Sequence, residues 1–172
     1  MATMMISERP GAQPSEDKRA GKYLIVELAT EQFGISVLQV KEIMKMQEIT
    51  TVPQTPAFLE GVINLRGRIV PVVDLRSKFG MPSQEHTERT CIVVVRVQMD
   101  NGEQPMGVVV DGVVEVLMLD AADIEDSPDF GREVANSYVR GMAKSKGKVK
   151  ILLDIDRVLS SQEFSRFATI GM

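Results

Sequence analysis

Most of the chain consists of short runs in which apolar and polar residues alternate, a pattern typical of β-strands. The runs YLIVELA (23–29) and FGISVLQV (33–40) flank polar residues and predict a first β-hairpin. GVINL and RIVPVV flank Arg66 and Gly67, and glycine there reaches the positive φ of a tight hairpin without steric cost. Residues 41–46 fit either a strand or a helical turn. The two prolines of TTVPQTPAF exclude a central strand and predict a surface connection.

The pattern returns after a polar connector at 81–90. CIVVVRVQM and QPMGVVVDGVVEVLML form a second predicted hairpin, in which the Asp-Gly pair at 111–112 indicates a bend or bulge. SYVRGMA and KVKILL flank a further turn at Lys146-Gly147. Short helical turns are predicted after Asp74 and Asp154, because aspartate is a favoured N-cap residue.

An internal repeat connects the two halves. Residues 61–79 match residues 141–159 without a gap, and Gly61, Gly67, Asp74 and Leu75 correspond to Gly141, Gly147, Asp154 and Ile155. FGISVLQVKEI at 33–43 also aligns with MGVVVDGVVEV at 106–116, which places Glu42 opposite Glu115. The copies differ where Asn64, Leu65, Arg66 and Pro71 become Lys144, Ser145, Lys146 and Ile151. The shared residues indicate a common fold, and the unshared ones indicate where one copy has specialised.

Several short strands at this spacing predict a mainly β protein built of two small barrels on a shared core. The first barrel copy is expected at about 22–80 and the second at about 89–160, with ends free to intertwine. Residues 1–21 mix Pro, Gly, Ser and both charges without periodicity and are expected to form a disordered arm. A C-terminal helix or tail is expected over 161–172, capped by Ser160 and Ser161.

Composition and charge indicate the cellular compartment and exclude some classes of partner, but they do not identify the function. The formal net charge of -4 gives no global signal for binding nucleic acid or an anionic membrane. Cys91 is the single cysteine and opens an apolar run, so a buried packing thiol in a reducing cytosol is expected. No apolar run is long enough for a signal peptide or a transmembrane helix, which predicts a protein without direct membrane insertion.

Three stretches together resemble the CheW family of bacterial chemotaxis coupling proteins. These are VKEI at 40–43, TPAFLEGVINLRG at 55–67 and IVPVVDLR at 69–76. The resemblance extends from about Tyr23 to Leu159. It implies two SH3-like five-stranded barrels on a common hydrophobic core, with short helices. It also implies a non-enzymatic adaptor, without a cofactor, that links chemoreceptor cytoplasmic hairpins to the CheW-like regulatory domain of the histidine kinase CheA. Such a protein is cytoplasmic and is recruited to membrane-associated receptor arrays.

The resemblance also implies a receptor-facing surface. Val40, Glu42 and Arg66 are expected to contact the receptor. Asn64, Leu65 and Gly67 are expected to set the hairpin that presents Arg66. The kinase-facing surface is expected largely on the second barrel. Because Lys146 lacks the planar fork of Arg66, a specialised role is expected for the first copy, although a purely structural pair between Glu42 and Arg66 is the alternative.

Three features of the sequence are compatible with other chemistries. A nucleic-acid-binding tandem barrel is the main alternative, since KSKGKVK (144–150) holds four lysines, but no aromatic residues interleave them for base stacking. Asp74 and Asp154 have the duplicated arrangement of an aspartic protease pair, yet the residues after them favour helix caps. His86 lies in the polar connector and is expected to be solvated. Met44, Met46 and Met118 are interpreted as core residues rather than partner contacts.

Overall fold

The computed structural model describes residues 18–126, 128 and 138–159. Eleven strands and two short helices are present in this part of the chain, and two 310 turns, Val37–Gln39 and Ala121–Asp123, join neighbouring strands. The elements in chain order are β1 Gly21–Leu28, β2 Glu31–Ser36, β3 Val40–Lys45, β4 Leu59–Leu65, β5 Arg68–Asp74, α1 Leu75–Lys78, β6 Cys91–Met99, β7 Gly102–Val110, β8 Gly112–Leu119, β9 Ile124–Glu125, β10 Val139–Ser145, β11 Lys148–Leu153 and α2 Ile155–Leu159.

The strands form two sheets of similar topology. The central sheet lies wholly within residues 40–110 and has the order β3-β6-β7-β5-β4. The terminal sheet combines the beginning and the end of the described chain in the order β9-β10-β11-β2-β1-β8. Apart from the two-residue strand β9, the orders match when each strand is replaced by its repeat partner. The mainly β, duplicated fold is therefore confirmed.

The sheets do not follow the copies as they run in sequence. Each copy gives its first two strands to one sheet and its remaining strands to the other, so the ranges 22–80 and 89–160 describe repeats and not separate barrels. The crossings occur at the 310 turn Val37–Gln39 and at Asp111, the bend predicted from Asp-Gly. As a result, the apolar runs 33–43 and 106–116 each contribute residues to both sheets.

The core has three parts. A large cluster lies between the sheets and includes residues of both copies, such as Val26, Ile35, Val73, Val95 and Leu153. The central sheet encloses a second cluster, and the terminal sheet encloses a third around Ile25 and Leu152. The shared core predicted from the repeat is present, and each barrel also has an interior of its own.

Close packing at the parallel strand pairs explains two glycines. Strand β11 pairs with β2 in parallel, and Leu152 lies opposite Gly34. In the other sheet β5 pairs with β7 in parallel, and Val72 lies opposite Gly107. A Cβ at Gly34 would lie 2.8 Å from Leu152 Cδ2, and one at Gly107 would lie 2.8 Å from Ile92 Cγ2. A side chain at either glycine would force its neighbours apart.

The ends of the chain are only partly described. The predicted C-terminal helix at 161–172 and most of the predicted arm lie outside the described residues. Lys18 and Arg19 are described and lie against the terminal sheet. Arg19 donates a hydrogen bond to the carbonyl of Arg140 (2.9 Å) and pairs with Asp126 (3.0 Å). Strand β1 begins at Gly21, so the sheet takes in the last residue of the range 1–21.

Candidate functional site

The turn between β4 and β5 presents the residues at the centre of the proposed receptor-facing surface. Arg66 and Gly67 both have positive φ values, 50° and 88°, which match a two-residue hairpin turn. The side-chain oxygen of Asn64 accepts a hydrogen bond from the backbone N–H of Gly67 at 2.8 Å. The expected role of Asn64 and Gly67 in setting this hairpin therefore has a direct geometric basis.

Arg66 forms an ion pair with Glu42 on edge strand β3. Nη1 donates to Oε1 at 3.4 Å, and Nη2 makes a shorter contact to Oε2. The hydrogen bond and charge of Glu42 raise the pKa of Arg66, so the guanidinium stays charged. The side chain of Arg66 remains 68% exposed, whereas that of Glu42 is 27% exposed. The pair holds the guanidinium in place and leaves much of it free for a partner.

The other two residues of the predicted surface lie deeper. Leu65 is buried, 7% exposed, and packs in the interior of the central sheet with Ile63 and Val70. It therefore anchors the hairpin from within and offers little surface to a partner. Val40 is half-buried and packs against the core between the sheets.

The second copy repeats this arrangement. Lys146 and Gly147 form the turn between β10 and β11 with φ values of 56° and 76°. Lys146 Nζ pairs with Glu115 Oε1 at 2.5 Å, and Glu115 lies on edge strand β8. In both sheets the ion pair connects one edge strand to the hairpin at the opposite side of the sheet. The structural interpretation of the Glu42–Arg66 pair is thus supported, and it coexists with the exposure of Arg66.

The outward faces of the two equivalent edge strands differ in chemistry. Strand β8 exposes an apolar row of Val114, Val116 and Met118, which we call the β8 stripe. The corresponding positions on β3 are Lys41, Ile43 and Lys45. The interpretation of Met118 as a core residue is wrong, because its side chain is 61% exposed. Met44 and Met46 are partly buried against the interior of the central sheet, as predicted.

Asp74 and Asp154 act as helix caps. The Asp74 carboxylate accepts from the N–H of Arg76 at 3.1 Å, and that of Asp154 accepts from the N–H of Arg157 at 3.2 Å. Burial, together with the charge of Asp74, raises the pKa of Glu60.

Arg76 is a structural junction that sequence reasoning missed. Its side chain is 10% exposed and pairs with Asp111, with Nε to Oδ1 at 2.9 Å. Nη1 also donates to the carbonyl of Pro82 at 2.9 Å, and Asp111 accepts from the N–H of Ala29 at 2.7 Å. Burial alone would raise the pKa of Asp111. The hydrogen bonds from Arg76 and from the N–H of Ala29 outweigh burial and lower this pKa. The junction ties the connector to both sheets.

The lysine-rich hairpin is less available than its sequence suggests. Lys150 is 2% exposed, and its Nζ donates to the carbonyl of Ser145 at 2.6 Å. Lys148 donates to the carbonyl of Thr30 at 2.7 Å, and Lys146 is paired with Glu115. Lys150 occupies the position of Val70 in the first copy, and both side chains are buried. Three of the four lysines already have partners, which weakens the nucleic-acid alternative.

The remaining chemistry is sparse. Cys91 is a half-buried free thiol, and its burial raises the pKa of the thiol. His86 is exposed. Among the described residues, no group of three or more His, Cys, Asp or Glu side chains is placed to hold a metal ion. Within the same part of the chain, no helix is long and apolar enough to cross a membrane.

Comparison with known proteins gives consistent results. The CheW-like domain family matches residues 22–163. The chemotaxis protein CheW of Klebsiella aerogenes is 39% identical over 144 residues, covering 84% of this chain and 84% of the relative. CheW of Rhizobium meliloti is 33% identical over 144 residues, covering 83% and 90%.

A solved structure agrees with these sequence matches. The crystal structure of the scaffolding protein TtCheW from Thermoanaerobacter tengcongensis superimposes with a TM-score of 0.74 at 33% identity, covering 84% of this chain and 95% of that one. Sequence and structure together support a chemotaxis adaptor role. The chain belongs to the CheW-like family.

Proposed function

We propose that this protein couples the cytoplasmic hairpin tips of chemoreceptors to the histidine kinase CheA, acting as a non-enzymatic adaptor without a cofactor. It would work in the cytoplasm and be recruited to membrane-associated receptor arrays. The observation that supports the proposal most directly is the position and exposure of the Arg66 guanidinium. Its guanidinium is fixed by Glu42 and a hairpin turn, yet it is 68% exposed, at a position that matches the family motif NLRG.

The proposed receptor-facing surface is formed by Arg66 and Glu42, with Val40 at its buried side. A guanidinium that already has one carboxylate partner keeps further N–H donors for a second partner. Pre-alignment by Glu42 lowers the side-chain entropy lost when a receptor binds. Ile69, which follows the turn on β5, is 69% exposed and would supply an apolar contact beside these charges.

The proposed kinase-facing surface is the β8 stripe. Strand β8 lies at the edge of the terminal sheet, and none of the described strands pairs with its outer side. That side is therefore available to a partner protein. Contiguous exposed apolar side chains on an otherwise polar surface are typical of protein interfaces. The regulatory domain of CheA, which the family resemblance describes as CheW-like, would offer an edge of the same kind. Strand β8 lies within 89–160, the range of the second barrel copy, on which the kinase-facing surface is largely expected.

A calorimetric titration of this chain into the CheA regulatory domain of the same cell tests the coupling role. Saturable binding that Val116→Glu weakens and Arg66→Ala leaves unchanged is the expected result. The reverse sensitivity, or no binding by a chain shown to be folded, would contradict the assignment.

A further inference from the structure

A cleft of about 350 Å³ lies between the two sheets, and its residues Leu38 and Asp156 are the repeat partners of Asp111 and Arg76. It is bordered by the start of β1, the 310 turn Val37–Gln39, strand β6 and helix α2. Five of the seven charged side chains in its lining are cationic. We call it the basic cleft and define it by Lys18, Arg19, Lys22, Arg96, Arg140 and Leu38.

Arg19 pairs with Asp126, and the other four cations of the basic cleft outnumber the carboxylates of its lining. Only Glu103 and Asp156 contribute carboxylates to its lining. Within the described part of the chain, Lys22, Arg96 and Arg140 form no ion pair, although Arg96 donates to the carbonyl of Leu38 at 3.3 Å. An excess of cations in one cleft of a chain whose net charge is -4 attracts acidic partners.

The floor of the cleft is held by neutral hydrogen-bond partners. Asp156 Oδ1 accepts from Gln39 Nε2 at 3.1 Å and from the backbone N–H of Gln98 at 2.9 Å. The hydroxyl of Tyr23 donates to the carbonyl of Arg19 at 2.7 Å. Asp156 is therefore committed to the floor and does not pair with the cations of the rim.

An apolar side chain stands among these charges. Leu38 is 84% exposed, the highest exposure among the large hydrophobic residues of the described chain. It lies on the same 310 turn as Gln39 and within the cleft lining. A ligand that contacts both Leu38 and the cations must combine apolar surface with negative charge.

The pseudo-equivalent cleft beside Arg76 lacks this character. Its two arginines, Arg76 and Arg89, are paired with Asp111 and Glu27, and Glu85 adds a further carboxylate to the lining. The basic cleft is therefore not a simple consequence of the duplicated fold.

We propose that the basic cleft binds an acidic polypeptide segment, in which aspartate or glutamate residues flank one apolar side chain that packs on Leu38. A single-stranded nucleic acid fits less well, because Tyr23, the one aromatic residue of the lining, is 1% exposed and offers no stacking face. The site extends the proposed adaptor role to an additional contact and does not depend on it.

The test uses the full chain and a fluorescein-labelled peptide of alternating Asp and Glu with a central Leu, followed by fluorescence anisotropy at low and moderate salt. The double variant Lys22→Glu/Arg96→Glu should bind roughly threefold to thirtyfold more weakly. The matched control Arg68→Glu/Lys144→Glu makes the same change in net charge at two exposed hairpin positions and should keep the affinity.

Leu38→Ser sharpens the test because it does not change the charge. It should weaken binding of the leucine peptide and leave binding of a peptide with serine at the centre unchanged. Equal losses in the two double variants would overturn the proposal, since they would indicate a response to net charge alone. Binding of a poly-dT oligonucleotide or phosphatidylglycerol vesicles at the same cations, with the peptide unbound, would also overturn it. Circular dichroism establishes that each variant is folded.

Discussion

The two hairpin tips have nearly the same backbone and ion pair, and they differ in what they expose. Arg66 and Lys146 have φ values of 50° and 56°, and each pairs with a glutamate on the edge strand of its sheet. Because both copies keep the pair, the pair belongs to the fold. The guanidinium of Arg66 and the β8 stripe each occur in one copy only. Partner binding is best sought in these unshared features.

The largest effect on stability is expected from a substitution at Gly61, whose surroundings differ from those of its repeat partner Gly141. Gly61 has φ of 149°, and a Cβ there would lie 2.1 Å from the backbone oxygen of Thr50. A Cβ at Gly141 would lie 2.8 Å from Arg19 Nη1, which can move, and 3.0 Å from the backbone oxygen of Glu125, a much longer backbone contact than that at Gly61. Gly61→Ala should lower the free energy of unfolding by about 3 kcal/mol, and Gly141→Ala by less. Urea denaturation of both variants measures this difference, and a larger loss for Gly141→Ala would contradict it.

The second prediction concerns the two edge strands. Val116→Glu places a charge in the β8 stripe and should weaken binding of the CheA regulatory domain by about tenfold or more. Ile43→Glu, at the equivalent position of β3, is the control. Both side chains are roughly half exposed, so folding should be kept. Equal weakening of kinase binding by the two substitutions would show that the strands are not specialised.

The third prediction concerns Arg66 itself. Arg66→Ala should weaken binding to a chemoreceptor hairpin by about tenfold, because a charge-assisted contact is lost, while the melting temperature changes by less than about 3 °C. Arg66→Lys reproduces the second copy and should recover only part of the affinity. Lys146→Ala should have no effect on receptor binding. Loss of thermal stability that matches the loss of binding would favour a purely structural pair.

The smallest effect is expected from Glu60, which faces Asp74 in the first copy, whereas Arg140 occupies the equivalent position in the second. A carboxyl group whose folded pKa is raised favours folding below its unfolded pKa, and this contribution is lost as the pH rises through the folded pKa. Glu60→Gln should therefore raise the melting temperature by about 1 °C at pH 7. The gain should shrink as the pH falls toward 4. A gain that grows on acidification would contradict this assignment.

Local patterns predicted most of the strands correctly. The alternation of apolar residues, the Arg66-Gly67 and Lys146-Gly147 turns and the aspartate caps all depend on neighbouring residues, and all are present. Residues 41–46 were ambiguous because Lys41, Ile43 and Lys45 face outward on an edge strand whose inner side is only half-buried.

Pairings between distant segments were beyond the sequence pattern. The exchange of strands between sheets depends on the crossings at Val37–Gln39 and Asp111. In the sequence, the first crossing resembles the interior of a continuous strand and the second resembles a simple bend. The Arg76–Asp111 pair joins residues 35 positions apart. Lys150 resembles a surface lysine in sequence, but its buried Nζ donates to the backbone carbonyls of Ser145 and Lys148, and this pairing is not visible in the local pattern.

The most direct test of the account is whether one chain binds both partners at once. The chain is first saturated with a chemoreceptor hairpin and is then titrated with the CheA regulatory domain in a calorimeter. Since Arg66 and the β8 stripe lie on different sheets, the account predicts an unchanged or stronger affinity for the kinase domain and a complex of all three proteins by light scattering. Displacement of the receptor hairpin by the kinase domain would contradict it.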